Sequence, residues 1–276
     1  MTTNNVTNNW SPLTTKGDLF TYSTLPARIA VGSNYYFPQA DSTATVGISY
    51  QLPQPEPQVV SVSMADFYGS LNGDSVITVT SSGTGSGATV VNSNDNAHLG
   101  IGKLDMGTTT TGFAGFNNNN SIKAFICNGS SILVETAINL SALSNGTDRY
   151  TMYFGLSDNS SFSSATNGAY ISYTDNVNSG NWTVNINNAS SITTSNGSTA
   201  PTANAWYKLR LIIGTNTITG YVGAAGSDFS LINTVNATLP TANLIMSVFF
   251  IKSAGTTDTF SYVDYMRSKI TYNSLR

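Results

Sequence analysis

Trp206-Tyr207-Lys208-Leu209-Arg210-Leu211-Ile212-Ile213, followed by Gly214-Thr215-Asn216 and then Thr217-Ile218-Thr219-Gly220-Tyr221-Val222, is the stretch that decides the fold. Its first part alternates apolar and polar side chains through the middle, the period of a half-buried strand. The Gly-Thr-Asn triplet supplies turn formers, and the run that follows is again β-branched and aromatic, so the whole is expected to be a hairpin. A later strand, Phe260-Ser261-Tyr262-Val263-Asp264-Tyr265-Met266-Arg267, carries the same alternation.

Working outward, short strand-like runs recur at 59–63, 75–80, 122–127, 132–139, 150–156, 169–173, 182–187, 244–252 and 259–266. Clusters of Asn, Gly, Ser and Thr separate them as turn signals. No long amphipathic helix is expected. So many strands over residues 59–276 exceed a small immunoglobulin sandwich and suit one large antiparallel sandwich. The W-x-x-L-x-hydrophobic strand at Trp206, its turn, the Gly-hydrophobic mate and the final strand carrying Asp264 resemble the concanavalin A or laminin-G-like jelly roll. That resemblance implies a lectin-like sandwich in a family whose members often bind carbohydrate. The expected class is therefore all-β, with a short N-terminal β module ahead of the sandwich.

The N-terminal module spans residues 13–50. Asp18-Leu19-Phe20-Thr21-Tyr22 suits a strand, while Pro26, Gly32 and Gly47 break the chain at short intervals. A stretch this short buries too little surface to fold alone, so it either packs on its own domain or associates with identical copies. The order Thr14-Thr15-Lys16-Gly17-Asp18-Leu19, then Pro26-Ala27-Arg28-Ile29-Ala30-Val31-Gly32, then Ala40-Asp41-Ser42-Thr43-Ala44-Thr45-Val46-Gly47-Ile48-Ser49-Tyr50 resembles a module of bacteriophage tail-fibre and head-fibre virion proteins. The resemblance implies attachment to other virion proteins and a homotrimer. Residues 1–12 precede it and, apart from Val6 and Trp10, offer little to bury. Pro53, Pro55 and Pro57 follow it at alternate positions and favour an extended polyproline linker over 51–58. Three parts are thus expected: a module at 1–50, a linker at 51–58 and a sandwich at 59–276.

Charged residues make up 9% of the chain, against about 25% in typical soluble proteins. With a formal net charge of -3 the chain lacks the cationic surface that nucleic-acid binding needs. A single cysteine, Cys127, excludes an intramolecular disulfide, and its alternating context makes it a buried, inert thiol. No basic segment followed by an apolar core opens the sequence, so a secretory leader is not expected. The longest apolar run, 244–251, is interrupted by Ser247 and is too short for a membrane helix. Synthesis in the host cytoplasm and display on the virion fit these features.

Hydrolysis of a glycosidic bond needs two carboxylates across it. Only Glu56 and Glu135 are glutamates, and Glu135 has no acidic neighbour at alternate spacing, so no catalytic residue is assigned and no enzyme is expected. Asp158, Asp175, Asp258 and Asp264 sit where Asx-turns would explain them. His98 is expected in a surface loop or at a strand start, with no G-x-S-x-G elbow to serve and too few partners for zinc. Gly83-Thr84-Gly85-Ser86-Gly87 lacks the Gly-Lys-Ser/Thr of a phosphate loop and reads as a flexible turn. Calcium is the one cofactor the loops could serve, through oxygens at 155–160 or 175–178, although neither follows an EF-hand spacing. A sugar site would pair an aromatic platform with amides and hydroxyls. Tyr170, Tyr173 and Trp182 are candidates, but Tyr170 and Tyr173 fall on opposite faces of a regular strand, and Trp206 is expected to be packed; none is singled out as a ligand contact.

Three functions compete. The first is a phage fibre or appendage protein whose sandwich binds a host-surface glycan. The second is a capsid decoration protein with no specific receptor, and the third a secreted carbohydrate-binding module.

Overall fold

In the computed structural model, the deciding stretch forms two antiparallel strands, Trp206–Ile213 and Thr217–Ala224. Their register pairs Ile213 with Ile218, and Gly214 N–H donates to Thr217 O at 2.8 Å to close the turn. The structure describes residues 19–22, 26–29, 37–40, 48–51, 59–67, 77–92, 98, 100–118, 125–127, 130–162 and 164–272. The chain forms two units, Met1–Glu56 and Pro57–Arg276. Residues 1–18 (including the Thr14–Asp18 opening of the fibre-like module), the Gly32 turn, the closing 41–47 and the prolines of the linker all lie outside the described residues.

Strands are numbered in chain order. In the first unit, β1 (Leu19–Tyr22) pairs antiparallel with β2 (Pro26–Ile29), and β3 (Phe37–Ala40) with β4 (Ile48–Gln51). In the second unit the strands run β5 Val59–Asp66, β6 Ile77–Ser82, β7 Gly87–Asn92, β8 Gly100–Asp105, β9 Phe113–Asn118, β10 Ser130–Leu140 and β11 Tyr150–Ser157. They continue as β12 Gly168–Tyr173, β13 Thr183–Asn188, β14 Ser191–Asn196, β15 Trp206–Ile213, β16 Thr217–Ala224, β17 Ser230–Asn236, β18 Ile245–Lys252 and β19 Phe260–Tyr272.

These strands form two antiparallel sheets. One is ordered β17-β16-β15-β10-β19-β8-β7, with β5 paired to the second half of β19. The other is ordered β14-β13-β12-β11-β18-β9-β6. Among the described residues the only helical turn is a 3₁₀ turn at Asn178–Gly180. Side chains from the two inner faces fill one core, including Val134, Leu209, Leu211 and Val263 from the first sheet and Phe154, Ile171, Val184 and Phe250 from the second. The alternation that predicted β15 is visible in its burial, where every second residue is buried. An all-β antiparallel sandwich is the observed fold.

The strands β7, β8, β9, β14 and β17 escaped the sequence reading. Their sequences, such as GIGKLD and FAGFNN, are rich in the Gly and Asn that mark turns elsewhere. The glycines are there because aromatic rings lie on them. A Cβ on Gly102 would come 2.6 Å from the Phe116 ring, and one on Gly115 would collide with Phe249. Gly115→Ala should therefore destabilise the fold by about 1–3 kcal/mol through overpacking. A urea midpoint unchanged from the parent would contradict that placement.

The expected strand at 122–127 is not formed where it is described. Phe125 makes a single antiparallel bridge to Leu244 and no ladder follows. Ile126 is 49% exposed while Cys127 is 3% exposed, so the side chains alternate although a single bridge is the only pairing among the described residues. Burial pushes the Cys127 thiol up to about 12, which keeps it protonated at neutral pH and agrees with an inert role. The Gly83–Gly87 segment is a turn between the two sheets, but it is tied down. Ser86 N–H donates to Gly83 O at 3.2 Å, and Thr84 N–H donates to Thr109 Oγ1 at 2.8 Å.

Candidate functional site

A strand puts alternate side chains on opposite faces, so the outer face of the β14-β13-β12-β11 region is specified by the residues between the core positions. On β12, Tyr170 and Ser172 face out between the core residues Ala169, Ile171 and Tyr173. On β13, Thr183 and Asn185 do so around Val184, and register sets Ser172 opposite Thr183 and Asn185 opposite Thr194. These positions open a groove of about 250 Å³ whose walls include Tyr153, Val177 and Ile192. Val177 and Ile192 are 47% and 57% exposed, so both offer apolar surface along the groove.

The floor is a connected array of neutral polar groups. Asn185, 4% exposed, donates through Nδ2 to Ser172 Oγ at 3.0 Å and Thr183 Oγ1 at 3.1 Å. Its Oδ1 accepts from Thr194 Oγ1 at 2.7 Å. Ser172 Oγ and Thr183 Oγ1 are 2.8 Å apart, and Thr183 also donates to Ser172 O at 3.3 Å. Connected in this way, the oxygens are held at set positions toward anything entering.

One wall is aromatic. Tyr153 stacks on Phe162 with centroids 5.1 Å apart and an interplanar angle of 9°, and Tyr170 meets both rings edge-on. Burial raises the hydroxyl pKa of Tyr153 and Tyr170, so both present O–H groups across the biological pH range. Phe162 belongs to the β11–β12 loop and adopts φ 55°, a costly conformation for a bulky residue, which the packed rings hold in place.

The same loop is braced by Asp158. Its carboxylate accepts from Thr166 N at 3.1 Å, Thr166 Oγ1 at 2.7 Å and Asn167 Nδ2 at 2.9 Å. Burial raises its pKa, but the bonds from Asn167 and Thr166 outweigh it and hold the carboxyl below its ordinary value. In the unfolded chain the group titrates at its ordinary value, so this contribution is complete at neutral pH and is lost as pH falls through the lower, folded value. Asp158→Asn should remove that acid limb from a stability-versus-pH curve and cost about 1 kcal/mol at pH 7. An unaltered limb in urea titrations from pH 7 to about pH 3 would contradict it.

The sequence candidates are dispersed by the fold. Tyr170 and Tyr173 do point to opposite faces, and both are buried, at 6% and 3% exposure. Trp182 is fully buried in the core. Trp206 is half-buried and stacks on His98 at 4.1 Å. His98 is accordingly no free surface histidine, since its Nδ1 lies 2.8 Å from Asp264 Oδ2. Glu135 is buried against Arg210 at 2.7 Å and accepts from Tyr265 O–H at 2.6 Å, on the other sheet from the groove.

Asx-turns do not account for the four aspartates. Asp175 accepts from Arg149 Nε and Nη2, each at 3.0 Å, and from Ser144 at 2.6 Å; Asp264 meets His98, and Asp258 meets Asp105. In the two loops considered for calcium, the carboxylates of Asp158 and Asp175 are thus engaged by internal donors, and no cluster of three His, Cys, Asp or Glu that could hold a metal occurs among the described residues.

Sequence reasoning missed Ser172, Thr183, Asn185 and Thr194. A signal was present in Thr183-Val184-Asn185-Ile186-Asn187, where asparagine, a poor strand former, alternates with core residues.

Residues 97–264 match the family described as SO2946-like, C-terminal domain. Among solved structures, a protein of unknown function, SO2946, from Shewanella oneidensis MR-1 is similar with a TM-score of 0.57 at 14% identity, covering 78% of this chain and 88% of that one. Peanut lectin is similar with a TM-score of 0.52 at 12% identity, covering 78% and 100%. The CBM2 module of the evolved Dit of Lactobacillus casei BL23 phage J-1 gives 0.50 at 10% identity, covering 77% and 96%. At these identities the likeness is one of fold. No curated protein matches the chain.

Proposed function

The chain belongs to the SO2946-like, C-terminal domain family, and we propose that it is a non-enzymatic bacteriophage virion protein of the fibre or appendage type whose lectin-like sandwich binds a host-surface glycan. The groove carries the glycan part of this reading. Sugars offer CH faces that pack on rings and hydroxyls that require fixed partners, and Tyr153 beside the Ser172–Asn185–Thr194 array supplies both. The lectin-like neighbours and a phage-encoded module of the same fold support it. The virion part rests on the fibre-like order of residues 13–50, and the same resemblance supports a homotrimer attached to other virion proteins by its N-terminal segment.

The full chain applied to an array of bacterial surface glycans should bind a subset of them, and Tyr153→Ala should weaken that binding by about tenfold or more. Absence of binding to any glycan would overturn the glycan reading. Antibody against the sandwich should label purified particles in electron micrographs, and sedimentation of the full chain should give three times its 29.1 kDa mass. Labelled particles without glycan binding would leave a decoration role, and unlabelled ones would remove the virion assignment.

A further inference from the structure

Resting on the glycan reading, we infer that the groove selects uncharged sugars by a vicinal diol held between Ser172 and Thr194, without a metal ion. The inference comes from counting protons in the array. Thr194 Oγ1 donates its only proton to Asn185 Oδ1, so toward the groove it offers lone pairs alone. Asn185 has both Nδ2 protons committed, one to Ser172 and one to Thr183.

Ser172 and Thr183 then share one hydrogen bond that either can donate. If Thr183 donates, Ser172 keeps its proton for a ligand. If Ser172 donates, Thr183 turns to Ser172 O and Ser172 keeps a lone pair. Thr183 is 2% exposed, so in both arrangements the remaining valence belongs to Ser172.

The groove therefore presents an obligate acceptor, Thr194, and an adaptable hydroxyl, Ser172, on either side of one carboxamide. The two oxygens of a gauche vicinal diol lie somewhat farther apart than the nitrogen and oxygen of that carboxamide, so a diol can span it. A diol lying over Asn185 can donate from one hydroxyl to Thr194 and use the other to meet Ser172, repeating the bridge that Asn185 makes below it. Among the described residues the lining contains no Asp, Glu, His, Lys or Arg. A uronate or sialate carboxylate would lose its hydration there with no cation to receive it, and no carboxylate or imidazole is placed to hold calcium against the sugar.

The test uses the full chain on an array of neutral and acidic glycans, in EDTA and in calcium, followed by calorimetry with the best neutral binder and its mono-O-methyl derivatives. Binding should be confined to neutral glycans and be equal in EDTA and calcium. Methylating the hydroxyl that donates to Thr194 should weaken binding by about tenfold. Thr194→Val and Ser172→Ala should each do the same, with urea midpoints reported to exclude unfolding. Preference for acidic glycans, loss of binding in EDTA, or indifference to every O-methyl group would overturn the inference while leaving glycan binding intact. Failure of all glycans would remove both.

Discussion

Trp182→Ala should lower the free energy of unfolding by about 3–5 kcal/mol, the range for removing a large buried aromatic side chain. Trp182 stands just before β13 and is fully buried, with its ring 5.6 Å from Tyr173 of its own sheet and 6.1 Å from Tyr207 of the facing sheet. It thus joins the two layers at one end of the core. Its Nε1 has no hydrogen-bond partner among the described residues, so the side chain serves by volume and not by its polar atom. Trp182→Phe should accordingly cost far less than the alanine variant, under about 2 kcal/mol, because it discards an unsatisfied donor along with some contact area. Chemical unfolding of the two variants beside the parent gives the comparison. Equal losses would show that the indole nitrogen matters after all.

The second large effect is expected on the opposite sheet. Arg210→Met should cost about 2–3 kcal/mol, because it leaves Glu135 charged and buried. Glu135 has 8% side-chain exposure, Arg210 pairs with it across the β10–β15 ladder, and Phe229 covers the guanidinium at 3.9 Å. Burial and the bond to Glu135 push the Tyr265 phenol well up, so that hydroxyl stays a donor but brings no charge to balance the carboxylate. The double variant Glu135→Met with Arg210→Met should recover most of the loss, since two apolar groups replace a desolvated pair. Arg267 lies across from Glu135 on β19. A single-variant loss under about 0.5 kcal/mol would mean that Arg267 takes over the carboxylate, and that Arg210 is not what holds it.

The fold was legible where side-chain alternation and burial agree. The β15–β16 hairpin reads from sequence because Leu209 and Leu211 face a core while Lys208 and Arg210 face away. It was illegible at β8 and β9, because what specifies Gly102 and Gly115 as strand residues is the rings of Phe116 and Phe249 packed over them. No local property of the glycines records that. The groove was hidden for a related reason. Ser172, Asn185 and Thr194 are ordinary in composition and become a site only when the registers of three strands bring them together. The pairing of His98 with Asp264, 166 positions apart, was equally out of reach.

The thirteen-residue strand β19 pairs with β10, with β8 through its first half and with β5 through its second. On a ribosome, this strand emerges after every other strand of the sandwich. Until then β5, β8 and β10 have no shared partner, and their unpaired edges are exposed to neighbouring nascent chains. One sheet of the sandwich is therefore closed only when its last strand arrives.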